Sequence, residues 1–518
     1  MQGHDDDVDA VPGDAGTTGA PAGGDAGPTT APGARDTLRR ARGTRRRNRE
    51  GAVVAAALVV AVTTTLVATA PAGALATEEP TAVPVAENAA APVYAHIPLY
   101  LDGLTTLPGG LREPLDVGTD VTFLAGTHVV DPAATTLARV VGGQVGTGRG
   151  ATAPGAASVA GRQRAWLASG TVPGAGGPYE DMARAALLDL HALMLPDGAA
   201  VAAWSDKWRY VWPRDASFVA VALARTGHVA DALGILGFLD RVQSPDGSFQ
   251  ARYVPDGSGP PDDRGVQTDG TGWAMWAAGL VVDEIEDPAD RAAAVERLEP
   301  LVARSARHAI SLVGHGGLPP ASPDYWEVPE EALTLGTVAP LVAGLQQASH
   351  LLELADDDAL AAAAFDASIR SKVAVIRAFG PTGFARYATG GHADAASAFL
   401  LPPFLATAVP GVDRAWRASA VAMVRPANGL APGAGWRDDG VSWTPQTSLY
   451  AWVAAENGDR DLADGWLTFL DTHRTASGSL PEKVLADGSP AAVAPLGWSA
   501  ACVLLALDAL DDSAGLSG

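Results

Sequence analysis

Apolar residues recur three and four positions apart through most of the chain after Tyr179, and clusters of Gly, Pro and Asp interrupt them. This spacing is typical of amphipathic helices separated by loops. It predicts twelve helices, which begin near Tyr179, Pro213, His228, Gln267, Pro288, Glu331, Asp357, His392, Asp413, Thr444, Asp459 and Gly497. No fixed repeat period relates them, which excludes a superhelical stack of repeats. We therefore expect an all-α fold, an (α/α)6 barrel (six-hairpin toroid) with an inner and an outer ring of six helices.

The segment from Tyr94 to Val145 has a different pattern. Short apolar runs, VTFLAGTHVV and LARVVGG, predict strands that Pro and Gly turns separate. Linkers rich in Pro, Ala, Gly and Thr lie on either side, at Thr77–Ala91 and Gly146–Val159. We expect residues 77–160 to form a linker and a small irregular, partly β N-terminal lobe, and residues 161–518 to form the helical barrel.

The first 76 residues have the composition of a leader. Residues 1–50 are acidic and then Arg-rich, which predicts a disordered N-terminal region. An uncharged apolar run, Gly51–Ala70, follows, and then Ala74-Leu75-Ala76. This order predicts either a signal peptide in residues 51–76, cleaved after Ala76, or a single transmembrane anchor. Both alternatives predict an exported protein that is extracellular or in the cell envelope, either secreted or membrane-anchored.

Charge and cysteine content narrow the class of partner. The formal net charge of -23 argues against nucleic acid, because an acidic surface repels phosphates. The single cysteine, Cys502, lies in an apolar run, which indicates a buried structural thiol and excludes an internal disulfide. No closely spaced His and Cys residues suggest a zinc site, and we expect no cofactor. The oligomeric state is not predicted.

Tryptophans stand next to acids in the predicted loops, which is the composition of a carbohydrate pocket. Indole faces stack on sugar rings, and charged groups bind sugar hydroxyls. The stretches are KWRYVWPRD (Lys207–Asp215), VQTDGTGW (Val266–Trp273), SPDYWEVPE (Ser322–Glu330), GWRDDGVSWTPQTSLYAW (Gly435–Trp452), and SGSLPEKV (Ser477–Val484) followed by PLGWSAA (Pro495–Ala501). The densest, KWRYVWPRD, predicts a helix that starts at Pro213 with Arg214 and Asp215 at its beginning.

Cleavage of a glycosidic bond needs one protonated and one ionised carboxyl group. Glu327 follows two aromatic residues, and apolar surroundings favour the protonated form, so Glu327 is the candidate acid. Glu482 lies in a Gly/Ser loop, a more open setting, so it is the candidate base. The non-catalytic alternatives are a helix N-terminal acid for Glu327 and a surface residue paired with Lys483 for Glu482.

In this order, the motifs WPRD, Q-x-DG, D-Y-W-E, LPE and LGWS resemble those of glycoside hydrolase family 15, which contains glucoamylases, glucodextranases and some trehalases. The resemblance covers about Tyr179 to Asp511 and implies an (α/α)6 catalytic domain. It implies an exo-acting, inverting hydrolase that removes glucose from the non-reducing ends of α-glucans or α-gluco-oligosaccharides, with Glu327 as general acid and Glu482 as general base. It also implies a substrate-binding set of Arg214, Asp215, Trp212, Asp269, Trp273, Trp326 and Trp498. The resemblance implies that Asp394 orders the barrel.

Two positions depart from the family pattern. Val328 follows Glu327 where a second acid is common, and Lys483 follows Glu482 where Gln is common. These departures leave alternatives open. One is a non-catalytic glycan-binding protein of the cell envelope on the same barrel. Another is a trehalase or an isomaltose-type glucohydrolase.

Overall fold

The computed structural model describes residues 94–107, 111–119, 121–131 and 153–515. The predictions for residues 1–76, for the Thr77–Ala91 linker and for the strand in LARVVGG lie outside these residues and stay predictions. Among the described helices, none is long and apolar enough to cross a membrane.

The helices of the described part of the chain run from Ala153 to Gly515. They are α1 (Ala153–Ser169), α2 (Glu180–Leu193), α3 (Pro213–Arg225), α4 (Val229–Val242), α5 (Asp269–Asp283), α6 (Pro288–Val313), α7 (Leu335–Leu354), α8 (Asp358–Phe379), α9 (Val412–Met423), α10 (Thr444–Glu456), α11 (Arg460–Thr472) and α12 (Gly497–Gly515). Two short 3₁₀ helices, Gly380–Thr382 and Ala395–Leu400, lie between α8 and α9.

Six of these elements form a closed inner ring: α3, α5, α7, the 3₁₀ helix Ala395–Leu400, α10 and α12, with α12 packed back against α3. An outer helix packs beside each one, in the order α4, α6, α8, α9, α11 and α2. The prediction of an (α/α)6 barrel is confirmed. Short connections such as Thr226–His228 lie at one end, and the long loops that lead into the inner elements lie at the other. This second end carries every predicted site motif.

Local chemistry explains where the helices begin. Pro213 and Pro288 occupy the first turns of α3 and α6, where a missing N–H removes no hydrogen bond. Asp287, Asp357 and Asp459 accept hydrogen bonds from the first backbone N–H groups of α6, α8 and α11. These capping residues therefore help to set where three helices of the outer ring begin.

The structure differs from the predicted helices at two places. The helix expected near His392 is the 3₁₀ helix Ala395–Leu400, because only six residues fit before Pro402 and Pro403, which have no N–H to donate. Helix α1 is not among the twelve predicted, and it begins inside the expected linker Gly146–Val159. It packs Ala156, Val159 and Ala160 against Val129 of the N-terminal lobe.

The strands of the N-terminal lobe also lie elsewhere than expected. They are β1 (Gly103–Thr106) and β2 (Arg112–Leu115), which pair antiparallel. The run VTFLAGTHVV forms only an isolated bridge between Phe123 and Val130, since the Ala-Gly-Thr turn leaves too short a run on each side. The partly β character of the lobe is confirmed, but its paired strands precede VTFLAGTHVV and this run is not itself a strand.

Residues Tyr94–Tyr100, which we call the N-terminal strap, lie against a small sheet of the barrel. That sheet contains β3 (Ser442–Trp443), β4 (Lys483–Val484) and β5 (Pro490–Ala491). Inward strap residues Ala95 and Ile97 pack against Val441, Leu485 and Ala491. The strap thus covers the loop that carries Glu482.

Large aromatic side chains fill the centre of the inner ring. Phe218, Trp273, Trp276, Phe404 and Trp452 touch one another through edge and tilted contacts, and all are buried. Burial of one such side chain stabilises the fold by roughly 1.5–3 kcal/mol. A rigid core therefore supports the loops at the site end.

Candidate active site

Arg214 lies at the centre of the site, in the first turn of α3. Its Nε donates to Asp215 Oδ2 at 3.1 Å and its Nη1 donates to Glu327 Oε1 at 3.0 Å. The ring of Trp498, in the first turn of α12, lies 4.8 Å from the guanidinium carbon. Burial lowers the pKa of Arg214, but Asp215, Glu327 and Asp269 outweigh that effect and raise it. Arg214 is therefore a fixed positive charge.

Asp269, the first residue of α5, is a buried acid beside Arg214. Its side chain is 1% exposed, and its Oδ2 lies 3.7 Å from Arg214 Nη1. Burial raises the pKa of Asp269 to about 7, against the opposing effect of Arg214. Burial likewise raises the pKa of Asp215. The floor of the site thus holds one cation between two buried acids.

Glu327 lies in a tight turn, with a backbone φ of 56° that non-glycine residues rarely adopt. Its N–H donates to Asp324 O at 2.8 Å, which closes the turn. Its Oε1 accepts from Arg214 and from Gln267 Nε2 at 3.3 Å, and its Oε2 accepts from Arg264 Nη1 at 3.0 Å. Glu327 precedes α7 by a loop, so it is not a helix N-terminal acid.

A buried network under this turn holds it in place. Arg386, 3% exposed, donates to Asp324, Glu330 and Asp394 and lies 3.7 Å from the centre of the Trp326 ring. Burial lowers the pKa of Arg386, but the charges of Asp394 and Asp324 outweigh the effect of burial, so the pKa of Arg386 is raised. Burial also raises the pKa of Asp394 to about 6.

Asp394 takes part in this network from the start of the 3₁₀ helix Ala395–Leu400. It accepts hydrogen bonds from Tyr325 Oη and from Ala396 N as well as from Arg386. Glu330, the nearest acid after Val328, is paired with Arg386 and with Tyr387 Oη. Glu330 therefore does not replace the missing second acid at position 328.

Glu482 immediately precedes β4, in the loop that leads towards α12. Trp208 Nε1 donates to Glu482 Oε1 at 3.3 Å. Lys483 Nζ lies 3.3 Å from Glu482 Oε2 and 4.2 Å from the centre of the Trp443 ring. The backbone of Glu482 bonds to Val493 and Thr444, so the side chain starts from an ordered strand.

Aromatic rings connect the two glutamates around the site. Trp326 contacts Trp436 edge-on, and Trp436 contacts Trp443 in the same way. Within the described chain, five tryptophans of the quoted motifs have a buried indole N–H group that lacks a hydrogen-bond partner: Trp212, Trp326, Trp436, Trp443 and Trp498. Trp276 and Trp416 of the helical core also have buried indole N–H groups without a partner, so this feature is not confined to the site.

The structure brings most of the predicted site residues together. Arg214, Asp215, Asp269, Trp498 and Glu327 lie in direct contact or share a partner, and Trp326 adjoins Glu327. Trp212 is the residue before α3, and its ring lies 5.0 Å from the guanidinium carbon of Arg252. Trp273 lies apart, because its side chain is fully buried in the aromatic core.

The settings of the two glutamates differ from those expected. Glu327 contacts two arginines and a glutamine in addition to Trp326, and its side chain is 24% exposed. Glu482 is the more enclosed of the two, at 12%. The apolar setting expected for Glu327 and the more open setting expected for Glu482 were therefore wrong. The assignment of Glu327 as acid and Glu482 as base rests on the resemblance to glycoside hydrolase family 15.

Sequence reasoning did not single out several side chains that touch the glutamates or support them. Gln267 and Trp208 lie inside the motifs VQTDGTGW and KWRYVWPRD, so these motifs could have identified them as contacts of the glutamates. Arg264 lies in a stretch without aromatic residues, and Arg386 lies between Phe384 and Tyr387, outside the quoted motifs. In the described part of the chain, no group of three or more His, Cys, Asp or Glu side chains could hold a metal ion.

Solved structures with the same architecture are enzymes that act on glycosides. A glycosidase, also solved as a variant in complex with glucose, superposes with a TM-score of 0.54 and 23% identity over 64% of this chain and 96% of its own. A bacterial glucoamylase complexed with acarbose gives a TM-score of 0.53 at 16% identity, over 67% of this chain and 57% of its own. The fold is that of the glucoamylases.

Two further proteins match this chain with lower sequence identity or over a shorter segment. Glucoamylase from Saccharomycopsis fibuligera superposes with a TM-score of 0.50 at 14% identity, over 62% of this chain and 90% of its own. An uncharacterized glycosyl hydrolase of Methanocaldococcus jannaschii is 34% identical over 96 residues, which is 18% of this chain and 15% of that protein. No protein-family model matches the chain.

Proposed function

We propose that this protein is a glycoside hydrolase that uses Glu327 and Glu482 as its acid and base. The observation that supports the proposal is the set of contacts around them: Glu327 accepts from the buried Arg214, Glu482 accepts from Trp208, and a row of touching indoles runs from Trp326 to Trp443. The glutamates are far apart in sequence and lie in loops that lead into two inner helices, α7 and α12, at the same end of the barrel. Acid–base hydrolysis needs water and two carboxyl groups and no cofactor.

The proposed roles follow the resemblance and the fold. Glu327 protonates the leaving oxygen, and Glu482 activates a water molecule for inverting attack. Arg214 and Asp215 bind the hydroxyls of a terminal sugar, since both side chains are buried at the start of α3. A closed floor of this kind supports exo-action on non-reducing ends.

Glucose in α-linkage is the proposed sugar. Two structures of this fold support it, because one is a glycosidase in complex with glucose and the other is a bacterial glucoamylase complexed with acarbose. Maltose-type, isomaltose-type and trehalose linkages are the candidates. A hydrolysis panel of maltose, isomaltose, trehalose and dextran separates them.

The test of the proposal combines that panel with two isosteric variants. Glu327→Gln and Glu482→Gln keep the shape of the side chains and remove the carboxyl proton chemistry, so each is expected to lose at least about a hundredfold in kcat. Release of β-glucose from an α-linked substrate, followed by NMR, supports inversion. Near-parental turnover by either variant, or initial α-glucose, would contradict the assignment.

A second candidate function is glycan binding without catalysis. The observation that favours it is that both Glu327 oxygens already accept hydrogen bonds from arginines, so neither oxygen is free to meet a leaving oxygen. A protein that binds maltose or isomaltose in calorimetry but cleaves no member of the panel would establish this alternative. Export to the cell surface is part of either proposal and rests on residues 51–76.

A further inference from the structure

An exposed arginine occupies the oxygen of Glu327 that proton transfer needs. Glu327 Oε1 accepts from Arg214 and Gln267, which are both buried. Among the described residues, the donor to Oε2 is Arg264 Nη1, at 3.0 Å, and the Arg264 side chain is 41% exposed. An acid that protonates a leaving oxygen must use an oxygen that no other donor occupies. Since buried groups hold Oε1, Arg264 has to leave Oε2 before the reaction can proceed.

Asp262 is a second acid within reach of Arg264. Its Oδ2 lies 3.4 Å from Arg264 Nε, so one guanidinium touches both Asp262 and Glu327. Burial raises the pKa of Asp262, but the bonds and charges of Arg252 and Arg264 outweigh the effect of burial, so the pKa of Asp262 is lowered. A guanidinium has several N–H donors, so Arg264 can give up Glu327 and keep Asp262.

Arg252 keeps Asp262 in place. It donates to Asp262 Oδ2 through Nε at 3.2 Å and also through Nη2. Its Nη1 donates to Lys207 O at 2.9 Å, and its guanidinium carbon lies 4.4 Å from the centre of the Tyr210 ring. The Arg252 side chain is only 11% exposed. Asp262 is therefore a fixed acceptor, whereas Arg264 is an exposed side chain between two acids.

The backbone around these charges is tied down. They lie in the loop of residues 243–268, between α4 and α5. Within this loop Ala251 N donates to Gly265 O at 2.9 Å. Tyr253 and Val211 exchange two backbone hydrogen bonds, each of 2.9 Å, which join the loop to the stretch before α3. The change of partner therefore needs a rotation of one side chain and no movement of the loop.

We propose that Asp262 is a positioning residue that takes Arg264 when substrate enters, so that Glu327 Oε2 is free to protonate the leaving oxygen. The proposal rests on the proposed glycosidase function, and it adds a control of the acid by its neighbours. In the free protein Arg264 bridges the two acids and keeps Glu327 from proton transfer. With substrate bound, Arg264 bonds to Asp262 alone.

The first test compares two substrates of Asp262→Asn. The amide holds Arg264 less strongly than the carboxylate does, so Arg264 stays on Glu327, and kcat/KM for the preferred disaccharide is expected to fall about tenfold. In α-glucosyl fluoride, fluoride replaces the leaving sugar and needs little protonation. Its kcat/KM is therefore expected to stay within about twofold of the parent. A loss confined to the disaccharide assigns the effect to the acid and not to the loop as a whole.

Removal of Arg264 from the same variant gives the rescue. Asp262→Asn combined with Arg264→Gln has no cation on Glu327 Oε2, so its kcat/KM for the disaccharide is expected to lie within about twofold of that of Arg264→Gln alone. Asp262→Glu keeps a carboxylate and is expected to stay close to the parent. Asp256→Asn changes an exposed acid of the same loop, which accepts from Ser258 N, and is expected to match the parent. Unfolding temperatures are measured for every variant.

A structure with bound disaccharide tests the movement without any change to Asp262. Glu482→Gln removes the proposed base and leaves the acid and both of its charged neighbours intact, so the disaccharide is held without hydrolysis. In that complex we expect Arg264 to bond to Asp262 and to have left Glu327 Oε2. Arg264 still bonded to Glu327 beside the bound disaccharide would overturn the proposal, whether or not Asp262→Asn folds.

The kinetic outcomes distinguish this proposal from the proposed function. If the parent cleaves neither the disaccharides nor α-glucosyl fluoride, the glycosidase function fails, and the role of Asp262 fails with it. If the parent is active but Asp262→Asn changes both substrates equally or neither, only the role of Asp262 is overturned. A double variant as slow as Asp262→Asn has the same meaning. A loss confined to the disaccharide and rescued by Arg264→Gln supports both.

Discussion

At the scale of single residues, Glu327 and its two arginines decide how the site can work. Arg214 contacts Oε1 from the buried floor, and Arg264 contacts Oε2 from a loop where its own side chain is 41% exposed. An acid that must donate a proton to a leaving oxygen needs one of its oxygens free. Arg264 is the exposed one of the two arginines, so it is the one that a bound substrate can displace from Glu327.

Substitution of each arginine tests this difference. Arg264→Gln is expected to retain at least about half of the parental kcat/KM, because exposed ion pairs contribute little. Arg214→Gln is expected to lose more than about a hundredfold, since it removes the buried cation that orients Glu327 and Asp215. Steady-state kinetics on the preferred disaccharide measures both. Equal losses in the two variants would contradict the displacement of Arg264.

Asp269 links the site to pH-dependent stability. Burial raises its pKa to about 7 from an ordinary value of 3.8, so the folded chain holds more protons than the unfolded chain between those values. The contribution of Asp269 to the free energy of unfolding is therefore present at about pH 4 and is lost as the pH rises towards about 7. Asp269→Asn removes this titration.

We expect the free energy of unfolding of the parent to fall relative to that of Asp269→Asn between about pH 4 and pH 7, and the difference to level off above that range. Urea unfolding at a series of pH values measures it. Exposed Asp256→Asn serves as the control, since its carboxyl lies on the surface loop after Val254. Parallel stability curves for the parent and Asp269→Asn would refute the raised pKa.

At the scale of elements, the turn that holds Glu327 depends on ion pairs between two loops, the one before α7 and the one before the 3₁₀ helix Ala395–Leu400. Arg386 joins Asp324, Glu330 and Asp394, all within a region closed to solvent. Removal of one partner from such a network leaves buried charges uncompensated. The strained φ of Glu327 persists because this network holds the residues around it.

Arg386→Met is expected to lower the free energy of unfolding by about 3–5 kcal/mol. It is also expected to reduce kcat, because Trp326 and the Glu327 turn lose their support. Arg417→Met is the matched control: Arg417 also bonds to two acids, but its side chain is 45% exposed, and the expected loss is about 0.5 kcal/mol or less. Denaturant unfolding and kinetics give both quantities. A loss no larger than that of Arg417→Met would show that the network contributes little.

At the scale of the whole molecule, ring closure joins the first and last inner helices. Arg225 at the end of α3 donates to Asp508 of α12 at 2.7 Å and to Asp512 at 3.3 Å. Asp508 is buried, so this pair lies inside the barrel wall. The contact closes the barrel at the end away from the glutamates.

Arg225→Met is expected to lower Tm and to reduce the free energy of unfolding by roughly 3 kcal/mol, because Asp508 would stay buried beside a side chain without charge. KM is expected to stay close to the parental value, since the site end is untouched. Arg241→Met, which removes an exposed pair with Asp197, controls for the loss of a surface arginine. Calorimetry measures the unfolding, and an unchanged Tm would contradict a stabilising role in closure.

The sequence by itself determined the helices and their order. Apolar spacing and capping residues are local properties, so eleven of the predicted helices formed α-helices, and the twelfth became a 3₁₀ helix only because Pro402 and Pro403 follow it. The motif residues Arg214, Asp215, Asp269 and Glu327 lie close together in the structure, since a closed ring brings the loops before its inner helices to one end.

Only the tertiary structure decided the environment of each side chain. Arg264 beside Glu327, Trp208 beside Glu482 and Tyr100 beside Trp208 join residues far apart in the chain, and no local pattern encodes such contacts. The same holds for Trp273, whose motif suggested the wall of the site and whose position is in the core. Burial and charge pairing arise from packing between loops, and they set which carboxyl can hold a proton.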